Sequence, residues 1–126
     1  MRNVPLAAVA VAVAAGAALA AVPAEGGHAF CLSARTTIDG TNGPDWIAGT
    51  QFSDVIASFG GADEVHARGG GDRVCAGSGT DVVFDGFGAD TIDGGDGFDT
   101  VYACPDGARD VLLHVERVVS SSVGCH

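Results

Sequence analysis

The sequence predicts an all-β solenoid, and three observations carry that expectation. Seven aspartates recur at one spacing, Asp45, Asp54, Asp63, Asp72, Asp81, Asp90 and Asp99, each nine residues after the last. Two residues beyond each stands a β-branched aliphatic: Ile47, Ile56, Val65, Val74, Val83, Ile92 and Val101, a phase that reaches back to Ile38. Between them lie glycine-rich stretches, which a chain needs where it turns with positive φ. A strict short period marks stacked units, each too small to bury an apolar side alone. One acid and one aliphatic held in phase through seven units have no simpler reading.

The chain opens with a different material. Met1-Arg2-Asn3 carries one positive charge, and Val4 to Val22 is almost entirely Ala and Val. Small residues follow at Val22-Pro23-Ala24 and at Gly27-His28-Ala29. Residues 1–29 therefore read as a secretory signal peptide, cleaved near 24 or 29. The apolar run approaches spanning length, but alanine is weakly apolar and the flanks fit export. The positive mean hydropathy of the chain comes largely from this segment and is not membrane character. A solenoid exposes an apolar rung at each end, so both ends need cover. Residues 30–39 are the expected N-terminal cap.

The repeats occupy residues 40–102. Their best copies are Ala76-Gly77-Ser78-Gly79-Thr80-Asp81-Val82-Val83-Phe84, Asp85-Gly86-Phe87-Gly88-Ala89-Asp90-Thr91-Ile92-Asp93 and Gly94-Gly95-Asp96-Gly97-Phe98-Asp99-Thr100-Val101-Tyr102. Glycine at the second and fourth places lets backbone carbonyls turn toward one point. The aspartate adds a hard, charged oxygen beside them, a ligand set that suits Ca²⁺. These copies resemble the RTX (repeats-in-toxin) nonapeptide G-G-x-G-x-D-x-U-x. The resemblance implies a right-handed parallel β-roll with two nonapeptides per coil, so that alternate repeats line opposite edges. It also implies several calcium ions between stacked turns, held by carboxylates and by carbonyls around Gly77, Gly79, Gly86, Gly88, Gly95 and Gly97. One edge then carries Asp45, Asp63, Asp81 and Asp99, and the other Asp54, Asp72 and Asp90. Neighbours on an edge make up to about five sites: 45/63, 63/81, 81/99, 54/72 and 72/90.

Elementary electrostatics points the same way. Stacked strands lie ~4.8 Å apart, and two unit charges at that distance repel by roughly 3 kcal/mol at an effective dielectric near 20. A divalent ion between rungs reverses the sign. Aspartate also favours turns without any metal, but periodicity in an acid rather than an amide points to calcium. The early copies depart from the pattern. Phe52 takes the fourth-place glycine in the copy ending at Ala57, Pro44 stiffens the first turn, and Ser58-Phe59 and Ala67-Arg68 replace opening glycine pairs. Sites 81/99 and 72/90 are therefore expected to form best, and 45/63 and 54/72 to be weak or empty.

After Tyr102 the period breaks: Ala108 stands where the next aspartate is due, and Asp110 arrives two residues late. Residues 103–126 read as a C-terminal cap and tail, with one or two strands in the Val-rich run from Val111 to Val119. All four cysteines, Cys31, Cys75, Cys104 and Cys125, lie beyond the signal, with no C-x-x-C among them. An even count in a small exported domain reads as two disulfides. Of three connectivities, Cys31–Cys75 with Cys104–Cys125 is favoured, because each bond pins a non-repeat end to the roll.

A formal charge of −10 argues against nucleic acid or anionic membrane as partner. His28, His66, His114 and His126 show neither metal-ligand spacing nor a catalytic context. A narrow roll filled by one aliphatic column also offers no cavity. The sequence thus predicts a secreted, non-enzymatic Ca²⁺-binding protein whose protein or surface partner it does not name. The alternative is an extracellular adhesion or interaction module in which calcium is only scaffolding; Trp46, Phe52, Phe84, Phe87 and Phe98 are its candidate contacts.

Overall fold

The computed structural model describes residues 29–122 and 125, so the signal-peptide reading of the first 28 residues, His28 and His126 lie outside the described part. The chain is an all-β solenoid of two parallel sheets. It opens with a small antiparallel hairpin, β1 (Phe30–Cys31) and β2 (Ala34–Arg35). One five-stranded sheet contains β3 (Ile38–Asp39), β5 (Val55–Ala57), β7 (Arg73–Cys75), β9 (Thr91–Asp93) and β11 (Val111–Leu113). The other contains β4 (Trp46–Ala48), β6 (Glu64–His66), β8 (Val82–Gly86), β10 (Thr100–Ala103) and β12 (Arg117–Ser120). Consecutive strands alternate between sheets, so each nonapeptide is half a coil, and Ile47 pairs with Val65 and Ile56 with Val74, eighteen residues on.

Three-residue strands are short because the middle residue alone points inward. Ile47, Ile56, Val65, Val74, Val83, Ile92 and Val101 are wholly inaccessible, and Ile38 is nearly so. Burying such a side chain contributes about 1.5–3 kcal/mol, and its β-branch suits a pleated surface.

The C-terminal strands do not lie across the end of the roll. They add one more rung to each sheet, with Leu112 opposite Ile92 and Val118 opposite Val101. Two extra residues before Asp110 absorb the lost phase, and Val111 resumes register with Thr91. Among the described residues the last rung has no neighbour on its far side, so inward-facing Val118 stays 53% exposed, while Val111 faces outward beside Thr91 and is 51% exposed.

Disulfides Cys31–Cys75 and Cys104–Cys125 tie both ends to the coils. The first seats the hairpin on β7, where Arg73 also donates to the Leu32 carbonyl at 3.1 Å. On the outer face of the β4-containing sheet, Trp46, His66, Phe84 and Tyr102 form a column with ring centroids 4.9, 4.4 and 4.8 Å apart. Glu64 anchors its start, accepting from the Trp46 indole at 2.9 Å and lying 2.7 Å from the His66 ring. His66 is thus a stacking residue paired with a carboxylate.

Candidate metal centre

Each periodic aspartate sits where a turn enters a strand, and all seven are buried. One oxygen of each later aspartate has a structural task. Its Oδ1 accepts the backbone N–H of the aspartate one coil earlier: Asp63 from Asp45 at 2.8 Å, Asp72 from Asp54 at 2.7 Å, Asp81 from Asp63 at 2.8 Å, Asp90 from Asp72 at 2.7 Å and Asp99 from Asp81 at 2.9 Å. The carboxylates therefore stack along two edges, 45-63-81-99 and 54-72-90. The ladder continues into the last rung, where Asp110 accepts from Asp90 at 2.9 Å and Glu116 from Asp99 at 2.8 Å. Glu116 breaks the period, so spacing does not reveal it; Asp110 is visible only as a delayed acid.

The second oxygen divides the aspartates into two groups. In Asp63, Asp72, Asp81, Asp90 and Asp99, Oδ2 is buried without any hydrogen-bond partner. Asp45 and Asp54 are satisfied by threonine. The Thr41 amide donates to Asp45 Oδ2 at 2.7 Å and its hydroxyl to Oδ1 at 2.8 Å; Thr50 donates to Asp54 Oδ2 through its amide at 2.7 Å and its hydroxyl at 3.0 Å. Both threonines hold the second place of their repeats, where later copies turn with positive φ.

That turn is built even without its glycine. Phe59 and Arg68 take φ of 64° and 71° at the second place, as Gly77, Gly86 and Gly95 do. Glycine becomes necessary one coil further on, where backbones touch. A Cβ on Gly77 would lie 1.8 Å from the Phe59 carbonyl oxygen, and one on Gly86 1.9 Å from that of Arg68. The copies opening with Ser58-Phe59 and Ala67-Arg68 thus keep the turn geometry of the glycine copies.

Burial of like-charged carboxyls has an electrostatic consequence. Desolvation pushes the Asp63 and Asp72 carboxyls up to about 7, Asp81 to about 6 and Asp90 to about 8, against bonding from the amides one coil earlier. Asp99 is raised for the same reason. A buried carboxylate oxygen without a donor is costly, and a hard cation supplies what it lacks. The residues therefore fit Ca²⁺. Among the described residues no arginine forms an ion pair with them.

A family model for the RTX calcium-binding nonapeptide repeat, in four copies, matches residues 39–74 and 76–103. Neither the curated proteins nor the solved structures contain a match to the chain.

Proposed function

The chain belongs to the RTX calcium-binding nonapeptide repeat family, and from that premise we propose that it is a secreted protein whose roll folds around Ca²⁺ held between stacked turns. Family membership implies calcium binding. The observation that carries the finer reading is the row of partnerless Oδ2 atoms on Asp63, Asp72, Asp81, Asp90 and Asp99. On this reading 63/81, 81/99 and 72/90 are the principal sites, with turn carbonyls around the positive-φ glycines completing each shell. Sites 45/63 and 54/72 are weaker, because Thr41 and Thr50 already occupy one carboxylate of each pair. Export is supported by cysteines that are all paired and by the Ala/Val-rich N-terminus. The reading requires no catalysis: among the described histidines, His66 is stacked and His114 pairs with Asp93 at 2.8 Å.

Calcium titration calorimetry on three proteins tests it. The unaltered chain takes up several ions; Asp81→Asn, which touches two principal sites, loses more of them than Asp54→Asn, whose carboxylate a threonine already serves. Equal losses in the two variants would contradict the site assignment, and no uptake at millimolar Ca²⁺ would overturn the function.

A further inference from the structure

The first place of each repeat lies against the sixth-place carboxylate. A Cβ on Gly40, Gly49 or Gly94 would stand 2.7, 2.8 or 2.8 Å from Oδ2 of Asp45, Asp54 or Asp99. Other copies fill that place with Ser58, Ala67 or Ala76, all small and wholly buried. The copy beginning at residue 85 puts an acid there. β8 bulges at this point: Phe84 pairs with Tyr102 and Gly86 with Ala103, which leaves Asp85 without a partner across the sheet. A bulge re-aims the side chain it carries. Here the Asp85 carboxyl is turned inside and is 0% exposed.

Its contacts are half complete. Asp85 Oδ1 accepts the Cys104 amide at 2.9 Å, while Oδ2 is buried with no partner, as is Oδ2 of the neighbouring Asp90. Asp110 brings a third carboxylate. The inserted residues fold so that Asp106 accepts from the Ala108 amide at 2.8 Å and the Gly88 amide at 2.8 Å, which returns Asp110 to the edge beneath Asp90. One oxygen from each of Asp85, Asp90 and Asp110 lies within 4.8 Å of the others. Three carboxylates this close repel unless a proton or a cation comes between them, and Asp85 Oδ2 is a wholly buried oxygen that neither the ladder nor the repeat sites serve.

We propose that Asp85, Asp90 and Asp110 form a separate Ca²⁺ site that joins the last repeats to the C-terminal rung. It rests on the calcium reading of the roll but goes beyond it, because Asp85 holds a place the repeat gives to glycine and Asp110 lies two residues out of the repeat's phase. All-oxygen ligation selects a hard divalent cation. Three charges where the repeat pairs offer two make this the tightest site of the chain. It also couples the ion to the Cys104–Cys125 end, since Cys104 donates to one of its ligands.

Calcium calorimetry on the disulfide-intact chain, with circular dichroism in saturating Ca²⁺ to verify folding, tests the site. The unaltered chain should show one step roughly tenfold tighter than the rest. Asp85→Asn and Asp110→Asn should each abolish that step and spare the others, while Asp81→Asn should spare the tight step and weaken later ones. Should Asp85→Asn misfold, Asp85→Gly replaces it, restoring the residue that Gly40, Gly49 and Gly94 hold at that place. Unchanged ion number and affinities in the folded Asp85 variant would overturn this site alone. A chain that binds no Ca²⁺ would overturn the repeat sites with it.

Discussion

At the residue scale, the same side chain in the same register meets two fates. Asp54 has a threonine hydroxyl and amide on its second oxygen; Asp72, one coil on, has nothing. That difference predicts how the metal-free protein answers acid. Asp63, Asp72, Asp81 and Asp90 are raised by burial to between about 6 and about 8, from an unfolded value of about 3.9. The folded state therefore binds more protons than the unfolded one across this window. Stability from these groups is fully present below about pH 4 and is lost as pH rises through 6 to 8. His114, drawn up by Asp93, runs in the same sense and is exposed, so His114→Gln is the background to use. In chelator the protein should melt at a higher temperature at pH 5 than at pH 8. In saturating Ca²⁺ the order should invert, because protons then compete with the ion. A metal-free melting point that rises with pH would contradict the buried, partnerless carboxylates. The aspartates themselves were legible in the sequence because they are periodic. The threonine partners were not, since Thr41 and Thr50 act through hydroxyl geometry that spacing does not encode, and Asp85 was hidden by its position at a glycine's place.

At the element scale, each strand of the two parallel sheets contributes one side chain to the aliphatic column, and its neighbours one coil away are its only same-sheet support. Val83 is wholly buried between Val65 and Val101. Val83→Asp puts an unpaired charge into that column and should abolish folding at any calcium level. Ile38 begins its column, with Ile56 on one side only. Ile38→Ala should cost about 2 kcal/mol, the low end for such a truncation, and fray the first rung alone. Amide hydrogen exchange distinguishes the cases: protection in Ile38→Ala should persist from β5 onward, and loss throughout the chain would show that the rungs are not independent. The column was readable from Ile38 to Val101 because period and burial coincide there. Leu112 was not, because two inserted residues move it twenty places from Ile92. The aromatic column was missed for a related reason: Trp46 holds the seventh place of its repeat, whereas His66, Phe84 and Tyr102 hold the ninth. Strand alternation puts both places on one face, but a search at fixed spacing does not join them. Nor does a rule that reserves positive φ for glycine foresee Phe59 and Arg68, whose conformations persist because the stacked turns around them fix the backbone.

For the whole molecule, the question is whether the coils stack without ions. Ten net negative charges, seven of the acids held in two buried columns, oppose it; an aliphatic column and two disulfides favour it. Calcium in extracellular modules generally binds with Kd on the order of 10⁻⁴–10⁻³ M. At tenfold excess over Kd each site adds about 1.4 kcal/mol, so the three principal sites add roughly 4 kcal/mol, a large part of the 5–15 kcal/mol that holds a typical domain together. Ion binding is therefore large enough to decide the folding equilibrium. The disulfides act on the other side of it, by limiting the unfolded chain. The bond spanning 21 residues contributes roughly 3 kcal/mol in that model. Circular dichroism should accordingly show a reduced protein that is unfolded in chelator and gains β structure on adding Ca²⁺. The oxidised protein should begin partly ordered and make a smaller gain at lower calcium. Magnesium should substitute poorly, since its small, rigid octahedron suits carboxylate-and-carbonyl turns less well than the larger, adaptable shell of calcium. A full β spectrum in chelator with both disulfides reduced, and a melting point that Ca²⁺ leaves unmoved, would mean that the aliphatic column alone overcomes the carboxylate columns.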